Sequence, residues 1–159
     1  MKALFVLSVS VLLLVCFQST ARSNWKSSSE NADYIHRSIK EVTDVIVHDI
    51  FSPPVASRIY AYITVAGYEA ARLGDPRYIS LASQLHGLTP LARPTPGKEY
   101  SYALASAHAI LTVGKTLVIS EEKVEEYHKN ILQEFKETGM PDEVFNNSVL
   151  LGKQVADHI

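Results

Sequence analysis

Outside residues 3–17 the sequence has no long apolar run, and its one cysteine, Cys16, falls inside that run. A lone thiol excludes an intramolecular disulfide, so packing has to hold the fold together. No later segment approaches the ~20 apolar residues needed to span a bilayer. Excess positive charge is missing too. The formal net charge is −2, with no basic face of the kind nucleic acid requires. There is no glycine-rich phosphate loop and no Gly-x-Ser-x-Gly elbow. The six histidines are scattered, without His-x-x-x-His or other ligand spacing, so no metal site is expected.

The apolar run itself has a targeting pattern. Lys2 supplies a positive start, residues 3–17 a short apolar core, and Ser19-Thr20-Ala21 small residues where a signal peptidase reads. Residues 1–21 are therefore predicted to be a signal peptide cleaved after Ala21, which implies a secreted or periplasmic protein. In the alternative, Cys16 would become a lipid-bearing first residue, but Val15 stands where a small residue is expected. Cleavage leaves 159 − 21 = 138 residues, enough for one domain and too few for two. Residues 22–31, polar and serine-rich, read as a mobile lead-in to a helical domain over 32–159.

From there the apolar period is helical throughout. Ile35, Ile39, Val42, Ile46 and Ile50 form one stripe, with Asn31 or Asp33 placed to cap its start. Phe51-Ser52-Pro53-Pro54 ends that helix and begins another. Ser52 suits an N-cap, and the two prolines suit a first turn whose N–H groups have no helical partner. The second helix, to about Arg72, is so apolar that it reads as a buried central helix. Four prolines then make 74–97 a long connection. A third, alanine-rich helix is predicted over about 98–118. A fourth is capped by Ser120 with Val124, His128, Ile131 and Phe135 inward, and a fifth begins at Asp142. The fold class is all-α, a bundle of about five helices. Its last residue, Ile159, falls mid-pattern and apolar without a stop signal, so the domain is expected to be truncated at its C-terminus.

His48-Asp49-Ile50-Phe51-Ser52-Pro53-Pro54, followed by Arg58-Ile59-Tyr60-Ala61-Tyr62, Tyr68-Glu69-Ala70, Tyr100-Ser101-Tyr102-Ala103 and Gly152-Lys153-Gln154-Val155-Ala156, resembles the helical N-terminal portion of bacterial proteins of the vanadium-dependent haloperoxidase and type 2 phosphatidic acid phosphatase superfamily. That resemblance implies phosphoester hydrolysis or peroxide-dependent halide oxidation in a full-length relative. There, a lysine, two arginines and two histidines of a C-terminal catalytic half hold and use a phosphate or vanadate oxyanion. None of the segments that would carry those groups is in this chain; Ser57-Arg58 matches one only as a dipeptide. The chain alone is thus expected to be inactive, with no catalytic, cofactor-binding or metal-binding residue of its own. Its expected partner is the catalytic half, and apolar faces left open by its absence would drive self-association. A complete, non-catalytic helical binding module is the alternative.

Five polar residues remain as cleft-lining or structural candidates: His48, Asp49, Arg58, Tyr62 and Glu69. Asp49 falls in the apolar sector of the first helix, where an unpaired charge is costly, so an Asp49–Arg58 ion pair across the Ser-Pro-Pro corner is predicted. His48 faces the other way. Arg58, Tyr62 and Glu69 share one face of the second helix. His108 reads as a core histidine satisfied internally.

Overall fold

A computed structural model describes residues 25–159; the predicted signal peptide, its cleavage point after Ala21 and Cys16 lie outside them. Five helices form an all-α bundle: α1 (Asp33–His48), α2 (Pro53–Arg72), α3 (Tyr102–Leu117), α4 (Glu121–Glu137) and α5 (Asp142–His158). The described residues contain no strand, and none of their helices is long and apolar enough to cross a membrane.

α1 begins where the Asn31 side chain accepts the Asp33 N–H at 2.9 Å, and it buries Ser38, Val42, Val45 and Ile46. Its end differs from the apolar stripe drawn through Ile50. The Phe51 N–H reaches back to the Ile46 carbonyl at 3.2 Å and the Ile50 N–H to Val47 at 3.2 Å, the bond pattern that closes a helix through a left-handed residue. That residue is Ile50, with φ 55°, and its side chain is 88% exposed. The turn needed to reach Pro53 takes Ile50 off the stripe, and a β-branched side chain in this conformation is strained by about 1–2 kcal/mol.

Pro53 and Pro54 occupy the first turn of α2, and Ser52 takes the N-cap position without a side-chain capping bond. α2 is not the central helix. Its buried residues are confined to Ile59, Ile63, Ala66, Gly67, Glu69 and Ala70, and Val55 and Tyr62 are open to solvent. The centre is α3, which packs on all four other helices. Its alanines at 103, 105, 107 and 109 are buried and let neighbours approach on every side. Against α5 the approach is close enough that a Cβ on Gly152 would lie 2.5 Å from the Ala105 carbonyl oxygen.

The connection between α2 and α3 contains only a 3-10 turn, Leu81–Ser83. α3 starts at Tyr102 rather than near Lys98, because the Ser101 hydroxyl accepts the Leu104 N–H at 3.3 Å and fixes the first turn there. Gly139, at φ 79°, separates α4 from α5. The expected lead-in is also partly ordered: residues 25–29 are helical, and Trp25 sits at 2% exposure in the core. An indole offers too much apolar surface to remain in water when a core lies within reach.

Candidate functional site

The corner between α1 and α2 is held by a carboxylate, and its partner is not Arg58. Asp49 accepts the Ile119 N–H at 2.8 Å, the Ser120 N–H at 3.0 Å and the Ser120 hydroxyl at 2.5 Å. Ser120 heads α4 without capping it, because its hydroxyl is turned to Asp49. The predicted Asp49–Arg58 pair is absent among the described residues. Three short donors at the α3–α4 turn satisfy the carboxylate, and Arg58 points into solvent from α2. The Ser120 hydroxyl, helped by the two backbone N–H groups and by His48, holds the Asp49 carboxyl below the usual carboxylate range.

Arg58, Tyr62 and Glu69 do share one face of α2, yet their surroundings differ along its length. Glu69 is fully buried. It accepts from Arg72 Nε at 2.7 Å, from the Ser80 hydroxyl at 3.1 Å and from the Leu81 N–H at 2.7 Å. This buried carboxylate anchors the long connection, which covers the C-terminal half of the face. The N-terminal half stays open. There Tyr62 borders two adjoining grooves of about 340 and 440 Å³, both of which also reach Ile159. Val65, Leu85 and Leu88 line one, and Val113, Leu117 and Ala156 the other.

His48 lies on another side, in a groove of about 500 Å³ shared with Glu41, Asp44, Lys123, Glu126 and Tyr127. Three carboxylates make that groove hostile to an oxyanion. The five candidates therefore serve four places: Asp49 the corner, Glu69 the connection, Arg58 and Tyr62 the open face, and His48 the acidic groove.

An oxyanion pocket would need cations and imidazoles converging on one point. Here Glu134 holds Arg37 bidentately, Asp75 holds Arg77, and single ion pairs tie Arg72 to Glu69 and Lys115 to Glu125. Arg72, Arg93 and Lys98 line one groove of about 570 Å³, but no histidine reaches it and Glu69 already occupies Arg72. The described residues do not fit vanadate or phosphate.

One polar pair was not foreseen. His108 and His128 meet across α3 and α4, Nδ1 to Nε2, at 2.7 Å. His108 is thus satisfied internally as expected, by another histidine. The signal was present: the two lie ten residues either side of Val118, at the hairpin between the helices. Burial first, then His128 and Lys153, pushes His108 down to about 4. Burial also lowers His128, with Lys115 adding to the shift and Glu125 opposing it.

Fold and polar sites together describe an all-α bundle with an open apolar face on α2 and, among the described residues, no convergence of cations and imidazoles. No protein-family model and no curated protein matches the sequence. Among solved structures, that of a bacterial vanadium-dependent iodoperoxidase is similar at 40% identity and a TM-score of 0.73, over 79% of this chain and 30% of that one. The chain is accordingly similar, in sequence and fold alike, to a helical portion of a vanadium haloperoxidase, and spans less than a third of that peroxidase's length.

Proposed function

We propose that this chain is the N-terminal helical scaffold of an exported vanadium-haloperoxidase-like protein, catalytically inert by itself. The observation that carries the reading is the 40% identity to the iodoperoxidase over most of this chain, combined with its short span of that enzyme. A likeness this strong in a chain whose described residues bring no cations and imidazoles together at one point fits a buttress better than a reaction centre. The iodoperoxidase likeness favours peroxide-dependent halide oxidation over phosphoester hydrolysis as the chemistry of the whole protein, with vanadate held by residues of the catalytic half. In this reading the open half of α2, with Val55, Arg58 and Tyr62, and the two grooves meeting at Ile159 receive that half. Residues 1–21 direct export.

Iodide oxidation tests the reading directly. The purified chain, given vanadate, hydrogen peroxide and iodide, is expected to form no triiodide above a buffer blank. Its phosphomonoesterase activity should be equally absent. Turnover that persists through a further purification step would overturn the proposal. For the export reading, the mass of the chain recovered from a periplasmic or culture fraction should correspond to a start at Arg22; an intact Met1 start or a lipid on Cys16 would reject cleavage after Ala21.

A further inference from the structure

The His108–His128 contact has no part in the scaffold reading. It is a close approach of two titratable rings on the seam that holds the bundle's central helix. At 100° per residue, His108 lies on a side of α3 away from Gly67, which meets Ser106 and Ile110, and away from Val42, which meets Gly114. On its own side, α4 supplies His128 and α5 brings the Gly152 backbone so close that a Cβ there would be 3.1 Å from the His108 Cβ. The pair therefore sits where α3, α4 and α5 meet.

We propose that His108 and His128 form a proton-operated latch, closed as a hydrogen-bonded neutral pair and opened when both rings are protonated. In the closed form each ring carries one proton, and one ring donates its N–H to the unprotonated nitrogen of the other over 2.7 Å. A first added proton goes to the free nitrogen of the donor ring and leaves that bond intact. A second must go to the accepting nitrogen. It removes the acceptor and sets two cationic N–H groups against each other, which the seam relieves only by parting.

The surrounding charges favour opening once both protons are on. From α5, Lys153 faces His108 and is itself held by Asp157. On α3, Lys115 faces His128. The carboxylate bearing on the pair from α4 is Glu125, already engaged by Lys115 at 2.8 Å and Lys129 at 3.3 Å. No carboxylate among the described residues bonds either ring.

A histidine kept neutral in the folded state lowers stability as pH falls from the unfolded value, about 6.5, toward its depressed folded value, about 4 for His108. Thermal unfolding of the full chain across that window is the experiment, with His108→Gln and His128→Gln beside the wild type, since glutamine keeps a hydrogen bond and cannot titrate. The wild-type midpoint should drop on acidification, and either variant should lose at least half of that drop. Equal slopes in all three would overturn the latch. Should the variants fail to fold, the imidazole NMR signals of the wild type decide. Two separated steps, the second well below the ordinary value of about 6.5, with faster amide exchange along the α3–α4 seam at the second step, support the latch. Independent titration of both rings near that ordinary value, or no change in seam exchange, rejects it.

Discussion

Asp49 and Glu69 are both carboxylates near a helix C-terminus that accept backbone N–H groups of a later segment, Asp49 in place of the ion pair drawn to Arg58 and Glu69 alongside its ion pair with Arg72. Asp49 joins the α1–α2 corner to the start of α4, so Asp49→Ala should lower the melting midpoint, whereas Arg58→Ala should leave it nearly unchanged. Their double mutant should then show additive losses in a melting-curve cycle; strong coupling would contradict the separation described above. Because its folded pKa is depressed, the Asp49 contribution is present above the unfolded value of about 3.8 and disappears as pH falls through the lower folded value. An Asp49→Asn variant should thus differ from wild type at neutral pH and converge with it in strong acid. Glu69 is the more demanding case. Its removal strands Arg72 and leaves the Leu81 N–H without its acceptor, so Glu69→Ala should cost about 3–5 kcal/mol in chemical denaturation. What made Asp49 misleading in the sequence is its position in an apolar sector. Residue spacing shows that such a charge needs a partner, but the partner, Ser120, is brought near only by tertiary structure.

The helices themselves were largely legible. Proline pairs, serines before apolar runs and glycines after them mark most of the boundaries, and the long proline-rich connection was expected as one. The errors fall where burial depends on a neighbour. α2 and α3 are both apolar nearly all round, and composition cannot say which one the other helices surround. Side-chain size decides it: the alanine faces of α3 admit four neighbours, whereas Tyr60, Tyr62 and Val55 keep α2 at the side. Two glycines measure how tightly those neighbours fit. Gly152→Ala would drive a methyl toward the Ala105 carbonyl, which cannot move without α3, so a loss of about 1–3 kcal/mol is expected in urea unfolding. Gly67→Ala meets instead the end of the Ile110 side chain, 2.7 Å away at Cδ1. That side chain can rotate, and alanine's better helix propensity, worth about 0.5–1 kcal/mol, offsets the crowding, so this substitution should be the milder of the two.

At the scale of the whole molecule, the uncovered face has a measurable correlate. Tyr62 and Val55 on the open half of α2 are exposed, and elsewhere on the surface Val47, Ile50, Ile79 and Ile119 are each at least 70% exposed. The isolated chain should bind a hydrophobic dye and self-associate with rising concentration in sedimentation, since large apolar patches promote association. A monodisperse monomer without dye binding would favour the complete-module alternative. Open apolar faces were expected from the sequence, but their place on the N-terminal half of α2 was not, because it depends on what does not pack rather than on any motif. The anchored connection has its own consequence, in the freedom to lengthen the chain. Its first part is pinned to α2 by the Tyr68 hydroxyl on the Ile79 carbonyl and by Glu69 on Ser80 and Leu81, and its middle is tied to α5 through His158 and Thr89. Past Leu91 comparable ties lapse until Thr95 meets the Tyr100 hydroxyl. A short flexible peptide spliced between Ala92 and Arg93 should be nearly silent in a melting curve, each doubling of a loop costing only about 0.6 kcal/mol, whereas the same peptide between Tyr78 and Ser80 would pull Glu69 from its donors and unfold the bundle.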